Sequence, residues 1–238
     1  MLTRCDKPFQ GYSRSNSYPR KCPTLLYRKF QEWNLMINFE FSQLYPEEEN
    51  NFLNSWQIWT KQILQEAKYI NKSPALLKFL TENCGEWDEA IGALFTLLHL
   101  IPPTAQGKAK RNRCNIEDAK TRLEGTPLQS ILDTWKGDVK QPNLLCLGSD
   151  KNSLDNFFII CDRLLLPLAA RNSTEAIDSL FKSHYVFGTE YDVSLRGLWK
   201  FIQVYIFKLD PEEPNLPMKV KQVFNQLNRG INQPQKNV

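Results

Sequence analysis

Few residues in this 238-residue chain are of types and spacings that could do chemistry, and the most enzyme-like passage is GSDKNS, residues 148 to 153. A phosphate-holding loop needs several glycines so that successive backbone amides can approach the anion, with a lysine after the last of them. GSDKNS offers only Gly148 and no Gly-Lys-Ser/Thr, so the spacing predicts a connection between two strands. Metal binding would leave C-x-x-C or H-x-x-x-H, and neither occurs. The two histidines, His99 and His184, fall on apolar faces and read as packed core residues. A thiol nucleophile would have to pair Cys161 with His184 in space, yet Cys161 lies in FFIICD and reads as a buried, inert small hydrophobe. The carboxylate runs Glu47–Glu49 and Glu212–Glu213 read as solvated charge. No catalytic, cofactor-binding or metal-ligating residue is assigned on these grounds, and no small-molecule substrate or cofactor is expected. An enzyme would need a deep cleft gathering polar groups near Asp150, Asp162 or His184.

One electrostatic feature remains. Lys108, Lys110, Arg111 and Arg113 place four cations in the six residues KAKRNR, a pattern suited to an import receptor or to phosphates. No aromatic side chain is interleaved, so the cluster has no platform for stacking bases. The net charge of +4 is too small for a general polyanion-binding surface. Six cysteines scattered along the chain, at 5, 22, 84, 114, 146 and 161, read as reduced thiols and favour the cytoplasm or nucleus. The N-terminal residues lack the apolar stretch of a secretory leader, and no run approaches the ~18 apolar residues of a membrane span, so no membrane partner is expected.

The elements that must position these groups follow from periodicity. Hydrophobic residues make up 42% of the chain and aromatic ones 12%, enough for a packed core. Leu26, Phe30, Trp33, Ile37, Phe41 and Leu44 share a helical face, although WNLMINFEF also reads as extended, and Pro46 interrupts the run. Phe52, Trp56, Trp59, Ile63 and Ala67 stripe a second helix, Ser73-Pro74 starts a third, and Trp87, Ile91, Leu94, Phe95 and Leu98 mark a fourth closed by Pro102-Pro103. Further on, LQSILDTWK can make a helix, and NLLCLG, FFII and RLLLPL read as three strands buried on both faces, the last at an edge because of Pro167. Asn172 and Glu175 form a capping box for a helix buried through Ile177, Leu180, Phe181 and His184, which stops at Gly188. Asp192 caps a helix with the face Leu195, Leu198, Trp199, Ile202, Ile206 and Leu209, and an amphipathic piece runs from Met218 to Leu227.

The expected fold is therefore mainly α with a small β-sheet (α+β), an N-terminal helical bundle packed on a C-terminal three-stranded sheet with flanking helices. Its expected divisions are a disordered tail (1–21), a helical subdomain (22–105), a basic linker (106–126), a small α/β subdomain (127–230) and a tail (231–238).

PTL at 23–25, FEFSQLYP at 39–46, ALFTLLHLIPPT at 93–104, and above all 157–210 from FFIICD through EAIDSLFKSHYVFG to LWKFIQVYIFKLD carry a resemblance. Over about 22 to 210 the chain resembles a family of uncharacterised animal proteins related to the C-terminal region of sterile-alpha-motif-domain-containing protein three. The resemblance implies that C-terminal region standing alone, without the N-terminal module that relatives often carry, and it brings no activity or site residues. The expected function is a non-enzymatic intracellular interaction or scaffold module with a protein partner. The alternative is a nucleic-acid-associated or chromatin protein using residues 108–113.

Overall fold

The computed structural model describes residues 35–70, 72–82, 87–102, 141–161 and 164–232. They form a mainly helical α+β fold. Residues 35–44 make α1, followed by α2 (Asn51–Ile70), α3 (Pro74–Glu82) and α4 (Glu89–Leu100). Strands β1 (Asn143–Asp150), β2 (Ser153–Cys161) and β3 (Leu164–Leu168) pair antiparallel in the order β1-β2-β3. Then come α5 (Ser173–Val186), α6 (Arg196–Phe201) with its π-helical continuation Ile202–Ile206, and α7 (Met218–Asn232).

The expected stripe of α2 is buried at every position, from Phe52 to Ala67. Of the expected first face, Leu26, Phe30 and Trp33 lie outside the described residues, Ile37 and Phe41 are buried on α1, and Leu44 is exposed because the helix ends there and Tyr45 turns inward instead. Ser73 Oγ accepts from Leu76 N (3.2 Å) at the start of α3. Trp87 precedes α4 instead of sitting on it, and Asp88 is the cap, its Oδ1 accepting from Ala90 N (3.0 Å) and Ile91 N (3.1 Å). From Ala90 to Leu100 this helix is buried on all sides, as it must be when it carries no polar face.

The turn at residues 151–152 joins β1 to β2, with Asp150 Oδ1 accepting from Asn152 N (2.8 Å) and Ser153 N (2.9 Å). Gly148 sits where the register shifts, and a Cβ on it would lie 1.9 Å from the Ser153 carbonyl oxygen. Its glycine therefore serves a β-bulge. Pro167 lies on the edge strand, opposite Phe158. The two faces of the sheet divide as the period of two demands: Cys146, Phe157, Ile159 and Leu166 enter the main core, while Leu145 and Ile160 are buried on the other side with Leu147, Phe158 and Leu165.

Asn172 Oδ1 caps α5 by accepting from Glu175 N (3.0 Å). The reciprocal arm reaches one residue further back than in the usual box, Glu175 Oε2 accepting from Arg171 N (2.9 Å). Gly188 ends the helix at φ +58°. Asp192 does not cap α6; it holds the preceding turn, accepting from Ser194 N (2.7 Å) and Ser194 Oγ, and α6 begins four residues later.

Residues from α1 through α7 share one continuous core. Trp56, Phe52, Phe207 and Phe181 stack in sequence, with ring centroids 4.8, 5.4 and 4.1 Å apart, and so tie α2 to α5 through the end of the π-helix. Helices on both sides of the expected linker 106–126 belong to this core, and the linker itself lies outside the described residues, as do 1–21, LQSILDTWK and 233–238; α7 continues two residues into the expected C-terminal tail of 231–238. Among the described residues no helix is long and apolar enough to cross a membrane.

Candidate functional site

An open cleft of about 600 Å3 lies where the end of α5, the 189–191 segment, α6 with its π-helical turn, and the 210–213 connection meet. Tyr45, just after α1, also lines it. The backbone here departs from regular helix. Within the π-helix Phe207 N donates to Ile202 O (2.9 Å), and Leu209 N then reaches back to Gln203 O (2.9 Å). Closing the chain that way requires left-handed backbone at Lys208 (φ 63°) and Asp210 (φ 47°), neither of them glycine. Asn51 Nδ2, at the start of α2, donates to Phe207 O (2.8 Å) and satisfies the carbonyl that the irregular end exposes. π-Helical turns and strained non-glycine residues concentrate at functional sites, where the surrounding structure holds them in place.

The polar lining groups are mostly bonded to each other. Gln203 Nε2 donates to Asp210 Oδ2 (2.8 Å), and Lys200 Nζ pairs with Glu213 Oε2 (2.6 Å). Tyr191 donates to Tyr185 between their hydroxyls (3.3 Å), and the Tyr45 and Tyr185 rings meet edge to face at 5.4 Å. Burial raises the phenol pKa of Tyr45, Tyr185 and Tyr191, and the charge of Asp210 adds to the shift in all three. The phenols therefore stay protonated as hydrogen-bonding groups at neutral pH. His184 is enclosed by Tyr191 and Trp199, with Nδ1 3.1 Å from Thr189 Oγ1 and Nε2 buried without a partner. Burial pulls its pKa down to about 4, so the ring is neutral at pH 7.

His184 is thus in the core, as its position in the stripe predicts, and it also borders the cleft, which nothing in the sequence signals. Cys161 is half-buried at the end of β2, not fully buried as expected, and it is not among the cleft-lining residues. Cys146 is the enclosed thiol, its pKa pushed up to about 12 by burial and by the charge of Asp88. Neither cysteine is in a disulfide. Asp150 belongs to the β-turn, and Asp162 lies outside the described residues. Glu213, read from the sequence as solvated, is only partly exposed and pairs with Lys200 in the cleft. Lys108, Lys110, Arg111 and Arg113 also lie outside the described residues. Among the described residues no group of three or more His, Cys, Asp or Glu side chains converges as a metal site would need.

No family model matches the chain, and neither a curated protein nor a solved structure is similar enough to count as a match.

Proposed function

We propose that the chain is a non-enzymatic interaction module that reads a segment of a protein partner in the cleft between α5, α6 and the 210–213 connection. The supporting observation is the mutual pairing of the lining groups: Gln203 with Asp210, Lys200 with Glu213, Tyr191 with Tyr185. Such an arrangement gives a fixed shape with a few open hydrogen-bonding positions. A reaction of the acid–base type would instead call for an ionisable group poised near neutral pH against a nucleophile. The buried neutral imidazole of His184 and the raised phenols are not so poised. An intracellular setting, cytoplasm or nucleus, belongs to the same reading and is favoured by the scattered cysteines.

A random-peptide display selection on the immobilised chain tests the reading. Enriched peptides are expected to share a motif and to lose affinity for the double variant Glu190→Lys/Arg196→Glu, whose two changes alter cleft-lining charges. Peptides that bind the double variant equally well would place recognition elsewhere and defeat the proposal. A second reading rests on the four cations at 108–113, for which replacement by alanine should flatten the salt dependence of nucleic-acid binding; undetectable binding by the unaltered chain would remove it.

A further inference from the structure

Building on the reading of the cleft as a recognition site, we infer that its tyrosine-lined end receives an alkylammonium group, with Asp210 as counter-ion and Tyr45, Tyr185 and Tyr191 as walls. An ammonium carries three donors and a positive charge, so it needs acceptor oxygens and is attracted to aromatic faces. The cleft has both. Asp210 gives one carboxylate oxygen to Gln203 (2.8 Å), and the other has no partner among the described residues. Left-handed backbone at Asp210 and, two residues earlier, at Lys208 fixes the course of this connection past the cleft. The Tyr185 hydroxyl already accepts one proton, from Tyr191 (3.3 Å), and keeps a second acceptor position.

His184 adds a buried polar atom beside the cleft. Thr189 Oγ1 donates to the His184 carbonyl (3.4 Å), which leaves the ring Nδ1 as the donor to Thr189 Oγ1 (3.1 Å) and Nε2 with a free lone pair. This buried acceptor without a partner, on a residue that borders the cleft, is a polar position that one enclosed water would satisfy. The cations do not reverse this balance. Lys200 is neutralised by Glu213 at 2.6 Å, and Arg196, the other basic lining residue, is available to a carboxylate on the same ligand. An alkylammonium can come from a lysine side chain of a partner peptide or from a free amine, and the two sources are separable.

The test is calorimetric titration of the full chain with N-acetyl-lysine methylamide, its trimethylated form, putrescine and N-acetyl-glutamate methylamide. The ammonium probes are expected to bind and the acidic probe not, with binding weakened by salt. Asp210→Asn should reduce their affinity at least about tenfold, the loss of one charge-assisted contact. Asparagine tolerates left-handed backbone and can still accept from Gln203, so this variant should fold, which far-UV circular dichroism checks. Tyr45→Ala, at a half-buried position, is the second variant and should also weaken binding. Tighter binding of the lysine probes identifies a peptide source; tighter binding of putrescine identifies a free amine. Absence of heat with every ammonium probe at millimolar concentration, or unchanged affinity in both variants, overturns the inference. Preference for the acidic probe, abolished by Arg196→Ala, also overturns it while leaving the recognition reading intact. Display-selected peptides insensitive to the cleft charges would instead remove that reading.

Discussion

Asp178 and Lys182 form an ion pair of 2.6 Å with both side chains 4% exposed, and Lys182 Nζ also donates to Asn38 Oδ1 (3.1 Å) across to α1. Burial raises the Asp178 pKa to about 6 against the pull of Lys182, while burial lowers that of His184 to about 4. The two act on stability with opposite signs. Between roughly pH 4 and 6 the folded chain binds more protons at Asp178 than the unfolded chain, so that group's contribution falls as pH rises. Between roughly pH 4 and 6.5 the unfolded chain binds more at His184, so that contribution falls as pH drops. The two windows overlap and the two contributions oppose each other. Asp178→Asn is therefore expected to lose more stability than the wild type between pH 6 and 4 in urea unfolding, because it keeps the His184 contribution and lacks the opposing one. Parallel profiles for the two proteins would contradict the assignment. At Gly148 the obstacle to a side chain is backbone, 1.9 Å from an added Cβ, so Gly148→Ala should cost about 1–3 kcal/mol in the same unfolding measurement.

The π-helical end of α6 is the element that shapes the cleft. Lys208 occupies a left-handed position where glycine is the usual occupant, and it is exposed. Lys208→Gly should relieve about 1–2 kcal/mol of backbone strain, offset by about 0.5–1 kcal/mol of added chain entropy, for a small net rise in melting temperature. Lys208→Val should lower it. Why this turn escaped the sequence reading is physical: Leu198, Ile202, Ile206 and Leu209 keep a helical spacing through it, and a lysine at the left-handed position carries no signal of the kind Gly188 gave. Regular elements were legible because their burial is periodic, as in α2, where every striped position is enclosed. The cap of α5 was legible in Asn172 and Glu175, and Asn172→Ala should cost about 1 kcal/mol in thermal or urea unfolding. The cleft was not legible. Its lining comes from Tyr45, from 184–203 and from 210–213, and only the three-dimensional path brings the first of these to the others.

On the scale of the molecule, the ring of Phe207 stacks between Phe52 of α2 and Phe181 of α5 and meets Phe41 of α1 at 5.6 Å. The same residue's carbonyl accepts from Asn51. The residue that ends the π-helix beside the cleft is therefore also a junction of the shared core. Phe207→Ala should cost about 3–5 kcal/mol, with tryptophan fluorescence and far-UV circular dichroism lost at the same urea concentration. Separate transitions would mean that the N-terminal helices and the C-terminal elements unfold independently. This core holds in place the cleft for which we propose recognition of a partner's cationic group by Asp210 and the three lining tyrosines. The most direct measurement is ring NMR of the 13C-tyrosine-labelled full chain during titration with N-acetyl-lysine methylamide. Concerted shifts are expected at Tyr45, Tyr185 and Tyr191 with Tyr69 and Tyr205 unmoved; shifts confined to Tyr69 or Tyr205, or none at saturating probe, would contradict ammonium binding in the cleft.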